Sequence, residues 1–157
     1  MFLYQVLDSL NSAKLKYAVV GGYALALHGL VRATMDVDLV LCLKQEDFVK
    51  AEQALSALGL RSRLPLKAEE VIQMRQEYIE RRNLLAWSFV DFKNPTRQVD
   101  ILITEDFRRL KTQMVSVGGR KVIVATLKEL IRMKESSGRP QDLVDIENMK
   151  RVLNEKG

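Results

Sequence analysis

The stretch YAVVGGYALALHGLVRATMDVDLVL, residues 17–41, puts two acids at the mouth of an apolar run. On a strand, residues two apart share a face. A strand opening at Asp36 lines Asp36, Asp38, Val40 and Cys42 on one side and Val37, Leu39 and Leu41 on the other. Two ionised carboxylates side by side repel, and burial sharpens the repulsion. A fold tolerates such a pair most readily when a cation neutralises it. Hard oxygen ligands at this spacing suit Mg²⁺, which keeps several waters and shares its coordination with phosphates. The bland alternative is a pair of solvated loop acids. The setting favours the first reading, because the pair follows a strand, a Gly21-Gly22 turn and a short helix.

The rest of the chain alternates short apolar runs with amphipathic segments. Phe2, Leu3, Val6, Leu7 and Leu10 recur at helical spacing. Residues 17–20 and 37–43 read as strands, with a compact helix ending at Gly29 between them. Residues 45–58 form a helix stopped by Gly59, and 60–64 a short edge strand. Residues 67–83 read as one helix with a charged outer face, including Arg75, Arg81 and Arg82. That face is solvated, or it serves an RNA or acidic-protein acceptor. Residues 84–92 and 98–103 read as strands joined by a turn at Asn94-Pro95. Residues 105–110 form a short helix, and 114–125 a hairpin turning at Gly118-Gly119. Thr126 and Glu129 make a capping box for a helix ending at Gly138. Pro140 suits the first turn of a last helix through Leu153. The expected fold is α/β (α+β), a mixed sheet of about five strands flanked by helices. With 157 residues and no linker or repeat, a single domain, 1–157, is expected.

Asp100, in QVDILI, also opens an apolar strand and is the third carboxylate candidate. Asp91 competes but ends its strand. Lys134 falls on the apolar stripe of Leu127, Leu130 and Ile131. It either needs an inward negative partner or snorkels from the last turn. Arg32 is a phosphate clamp or a solvated loop arginine. Thr34 bonds a phosphate or fixes its loop. His28, the lone histidine, reads as a packing or hydrogen-bonding residue, and Trp87 with Phe89 as strand core. Cys42 reads as a buried thiol, so no intramolecular disulfide forms. One Cys and one His exclude a zinc site built from those ligands in one chain. The formal charge of +5 suits nucleotides, nucleic acid or an acidic partner, and equally a solubilising surface. No stretch is long and apolar enough for a membrane helix, and the N-terminus has no signal-peptide pattern. A cytoplasmic location, away from the membrane, is expected.

Together, Gly21-Gly22, a short helix, Asp36-x-Asp38 and the later Asp100 resemble the DNA polymerase beta-type nucleotidyltransferase superfamily. GLVRATMDVDL resembles the variant found in abortive-infection-type toxins, and GGYALALHG the opening of small antibiotic nucleotidyltransferases. LKELIRMKESSGRPQDLVDIENM resembles the toxin-like branch, which carries a Lys and then a Lys-Asp-x-x-Asp element. Lys134, Asp142 and Asp145 match; Gln141 replaces the second lysine, and Tyr23 a small hydroxyl residue. The resemblance implies transfer of a nucleoside monophosphate from an NTP, such as ATP, to a small-molecule, RNA or protein acceptor. It implies two Mg²⁺ or Mn²⁺ ions held by Asp36, Asp38 and Asp100, with Lys134 in the catalytic set. Gly21, Gly22, Arg32, Thr34 and Asp142 would bind the nucleotide. One small domain leaves part of the acceptor pocket to loops, a partner protein or a second copy, so a homodimer is expected. The alternative is a non-catalytic relative, a regulatory or antitoxin-like binding domain.

Overall fold

The structure is a computed structural model. It describes residues 1–30, 33, 36–137, 139, 140 and 142–156. Arg32, Thr34, Gly138 and Gln141 therefore lie outside the described residues.

The chain runs α1 (Phe2–Ser12), β1 (Tyr17–Val20), α2 (Gly21–Leu27), β2 (Val37–Leu41), α3 (Gln45–Ala57), β3 (Arg61–Ser62), α4 (Ala68–Gln73), α5 (Arg75–Arg82). It continues β4 (Ala86–Asp91), β5 (Asn94–Leu102), a 3-10 turn (Phe107–Arg109), β6 (Thr112–Val117), β7 (Arg120–Ala125), α6 (Leu127–Ser137) and α7 (Asp142–Lys156). Among the described residues the strands form one sheet of seven, in the order β3-β4-β5-β2-β1-β7-β6. The sheet is mixed, as expected: β1–β7 and β2–β5 are parallel, and the remaining pairs antiparallel. Among the described residues it has seven strands against the expected five, and each of them, two-residue β3 and the β6–β7 hairpin included, falls in a segment read as strand from the sequence.

Both faces carry helices. Trp87 of β4 stacks on Phe48 of α3 at 5.9 Å between ring centroids, and meets Phe89 edge-on at 4.5 Å. It is buried, and its indole N–H donates to Ser62 Oγ at 3.0 Å. On the opposite face, Leu130 and Met133 of α6 line a cavity with Leu102 of β5. Val37, Leu39 and Leu41 are fully buried between β1 and β5. Cys42 is buried, as expected of a structural thiol. His28 is buried and its Nε2 lies 2.9 Å from the Ala125 carbonyl, the hydrogen-bonding role anticipated for it.

Three local expectations change. The helix over 67–83 breaks into α4 and α5 at Met74, whose φ and ψ of −101° and 11° leave the helical region. The β4–β5 turn falls at Phe92-Lys93, ahead of Asn94-Pro95. There the Asp91 carboxylate accepts the Lys93 and Asn94 N–H groups at 2.9 and 3.3 Å. Pro95 then lies in β5 before β2 begins to pair at Val99, where no ladder partner needs its missing N–H. Thr126 Oγ1 caps α6 by accepting the Glu129 N–H at 3.3 Å, but the reciprocal half of the box is absent. The Glu129 carboxylate accepts from the Lys111 N–H and Arg132 instead.

Candidate active site

The three acids converge because of strand register. Asp38 pairs with Asp100 across the parallel β2–β5 ladder, Val20 flanks Asp38 from β1, and Ser88 flanks Asp100 from β4. Facing residues in a ladder project to the same side. Val20, Asp38, Asp100 and Ser88 thus form one row across four strands. Asp36 stands one residue before β2 and within the field of Asp100. Asp91 is not part of this row: it caps the β4–β5 turn and pairs with Arg97 at 2.6 Å.

Crowding and burial hold Asp38 and Asp36 towards their neutral forms. Burial, then the charge of Asp100 and a hydrogen bond with it, push the Asp38 carboxyl up from 3.8 to about 7. Burial and Asp100 also raise Asp36, against the Arg63 guanidinium, which lowers it. Asp100 is held in place: its Oδ1 accepts from Ser88 Oγ at 2.6 Å and from Gln98 Nε2 at 2.9 Å. Arg63 donates to Gln98 Oε1 at 2.6 Å, extending the chain of contacts to the β3 side.

Gly21 explains the glycine turn. Its φ is +68°, and a Cβ there would stand 2.8 Å from Asp38 Cγ and still closer to Oδ2. Backbone and carboxylate approach closely only because no side chain intervenes.

Next to Asp38 opens a cavity of about 210 Å³, lined among others by Gly21, Lys134, Ser137, Arg139 and Asp142. Lys134 is largely buried, and its Nζ lies 3.3 Å from Asp142 Oδ1 and 3.2 Å from Asp145 Oδ2. It therefore faces inward, the first of the two readings that its place on the apolar stripe left open, and its charge reaches Asp38. Asp142 is buried and also accepts from Ser137 Oγ at 2.6 Å and Arg139 Nε at 3.0 Å. These bonds, Ser137 first, bring its carboxyl down from 3.8 to about 2. The stability it contributes is complete above pH 3.8 and is lost as pH falls towards 2. Melts between about pH 2 and 5 are expected to show this acid loss in the wild type, and a flatter profile in Asp142→Asn.

The structure thus brings Asp36, Asp38, Asp100, Gly21, Lys134 and Asp142 around one region. Gly22, in the first turn of α2, adjoins Gly21. Ser88, Gln98, Arg63, Ser137 and Arg139 were not singled out from sequence. Ser88 stands opposite Asp100 because the β4–β5 register shifts between Val90 and Asp91, which the sequence does not show. The others depend on side-chain reach, which spacing does not encode.

Carboxylate oxygens crowded enough to resist ionisation are a donor set that fits a hard divalent cation. Among the described residues, no group of three or more His, Cys, Asp or Glu side chains is placed to hold a metal ion.

This sheet, with its carboxylate row beside a glycine turn, has the fold of the nucleotidyltransferases. The chain is similar to the antibiotic-resistance factor ANT(2'')-Ia over 99% of its length and 83% of that chain, with TM-score 0.65 and 14% identity. It is similar to the lincosamide antibiotic adenylyltransferase LnuA, solved with lincomycin bound, over 96% of both chains, with TM-score 0.64 and 15% identity. A candidate nucleotidyltransferase from Thermotoga maritima matches 98% of this chain with 91% of its own, at TM-score 0.61 and 18% identity. No protein-family model and no curated protein matches the sequence. Among the described residues, no helix is long and apolar enough to cross a membrane.

Proposed function

We propose that this chain is a nucleotidyltransferase that moves a nucleoside monophosphate from an NTP to an acceptor hydroxyl. The observation that carries the reading is the in-register pairing of Asp38 with Asp100 beside a cavity lined by Gly21, Lys134 and Asp142. The likeness in fold to ANT(2'')-Ia and LnuA supports it.

In this reading Asp36, Asp38 and Asp100 hold Mg²⁺ or Mn²⁺. Divalent cations in such a site neutralise phosphate charge and lower the pKa of an attacking hydroxyl. The triphosphate lies in the cavity beside Asp38, where the Gly21 backbone leaves room and Lys134 supplies positive charge. Lys134 is held by Asp142 and Asp145, which keep its ammonium within reach of the site. The acceptor oxygen bonds to the α-phosphorus as the α–β bridging bond breaks, and pyrophosphate leaves. Asp100 would hold the cation nearer the acceptor and assist its deprotonation, with Ser88 and Gln98 fixing the carboxylate through Oδ1.

The test is an assay with each of the four NTPs labelled at the α-phosphate, with Mg²⁺ or Mn²⁺, and small-molecule, RNA and protein acceptors. Asp100→Asn is expected to cut transfer by about a hundredfold or more while the protein stays folded, the usual cost of losing a general base. Full transfer by Asp100→Asn contradicts the assignment. The protein is expected to act in the cytoplasm and to form a homodimer, which light scattering tests.

A further inference from the structure

A second, smaller recess lies on the other side of Asp100 from the Gly21–Lys134 cavity. It has a volume of about 140 Å³ and is lined by Arg63, Leu64, Leu84, Ala86, Trp87 and Ser88. Three observations tie it to the carboxylate row. Ser88 is both part of its wall and a donor to Asp100. The Arg63 N–H bonds the Ser88 carbonyl at 2.9 Å, so Arg63 continues the row one strand further. Arg63 also reaches Asp100 through Gln98. A nucleotide in the first cavity and a second molecule in this recess would meet at Asp100.

The lining specifies what that second molecule is. Leu64, Leu84 and Ala86 are apolar, and Leu64 is exposed, while Trp87 keeps its ring buried against Phe48. The one charged residue in this lining is Arg63, and none of the residues named there is acidic. An amine-rich ligand would meet a guanidinium there, and the neighbouring acids, Asp36 and Asp100, are not part of that lining and belong to the proposed cation site. A carboxylate or phosphate would meet a planar fork of donors suited to it.

We infer that the recess walled by Arg63, Leu64, Leu84 and Ser88 is the acceptor subsite, and that its acceptor is a small hydroxyl compound with an apolar part and an anionic group, not a polyamine. This rests on the nucleotidyltransferase reading and adds the class of its second substrate.

The test follows backbone amides by NMR in protein loaded with Mg²⁺ and a non-hydrolysable NTP. Three probes are titrated: 4-nitrophenyl glucuronide (anionic), 4-nitrophenyl glucoside (neutral) and the polyamine tobramycin. The glucuronide is expected to shift the amides of Arg63, Leu64, Leu84 and Ser88. It should bind about fivefold more tightly than the glucoside, the effect of one solvent-accessible charge pair. Tobramycin should leave those amides unmoved. Arg63→Glu should remove the preference for the glucuronide, and Arg63→Lys should keep most of it. Tobramycin binding there as tightly as the glucuronide, no shift from any probe, or an unchanged preference in Arg63→Glu each overturns the inference. Calorimetry of NTP binding on the same samples reports on the wider reading separately: a protein that binds NTP but fails the probe test loses only the acceptor assignment.

Discussion

Replacing Asp38 with asparagine is expected to remove nucleotidyl transfer while leaving the apo protein at least as stable near pH 8. The two effects have one cause. Asp38 sits opposite Asp100 in the ladder and beside Asp36, and burial with these charges pushes its carboxyl from 3.8 to about 7. Its folded value lies above its unfolded one, so the stability it contributes is complete below pH 3.8 and fades as pH rises towards 7. The slope is about 1.4 kcal/mol per pH unit between the two values. Asparagine keeps the shape and carries no charge, so melts of Asp38→Asn in EDTA should flatten across that range. Transfer, in contrast, needs the ionised carboxylate, and a fall of about a thousandfold or more is expected from the loss of a group on the transferring phosphate's metal. A variant less stable than wild type at about pH 8, with the slope retained, would mean that the carboxylate is satisfied within the protein.

Gly21→Ala carries the second large effect. The Gly21 φ of +68° is costly for any residue with a Cβ, and here that Cβ points into the Asp38 carboxylate. A loss of about 1–3 kcal/mol is expected from the backbone alone. Displacing Asp38 by an ångström should cost transfer a further factor of about a hundred. Gly29 separates the two contributions. Its φ is +93°, but nothing lies within 4 Å of an added Cβ. Gly29→Ala should therefore lose stability on the same scale and lose no transfer beyond what unfolding explains. Equal activity losses in the two variants would show that Gly21 matters to the fold and not to the site.

Much of this was legible in the sequence because period-two patterns survive folding. The alternation in residues 36–42 placed Asp36 and Asp38 on one face, and that in residues 98–103 placed Asp100 on its own. What spacing did not give was adjacency. That β2 and β5 lie side by side and parallel, in a register matching Asp38 to Asp100, follows from the course of the whole sheet. The stripe of Leu127, Leu130 and Ile131 left Lys134 either inward or snorkelling, and its capture by Asp142 and Asp145, which decides between them, depends on how α6 and α7 fold back on each other. The break at Met74 had no sequence signal: residues 67–83 contain neither glycine nor proline. Pro95 misplaced the turn because a proline at the unpaired end of a strand looks, in sequence, like one in a turn. The Asp91 carboxylate bonds decided the matter.

The central claim is that Asp36, Asp38 and Asp100 form a cation-dependent triphosphate site. Its most direct test is a calorimetric titration of a non-hydrolysable NTP into the wild type and Asp38→Asn, with Mg²⁺ and with EDTA. The wild type is expected to bind only with Mg²⁺, and Asp38→Asn to bind at least about a hundredfold more weakly, since even the outer partners of metal ligands are worth up to that much. Equal affinity in the two proteins, or wild-type binding indifferent to Mg²⁺, would contradict it.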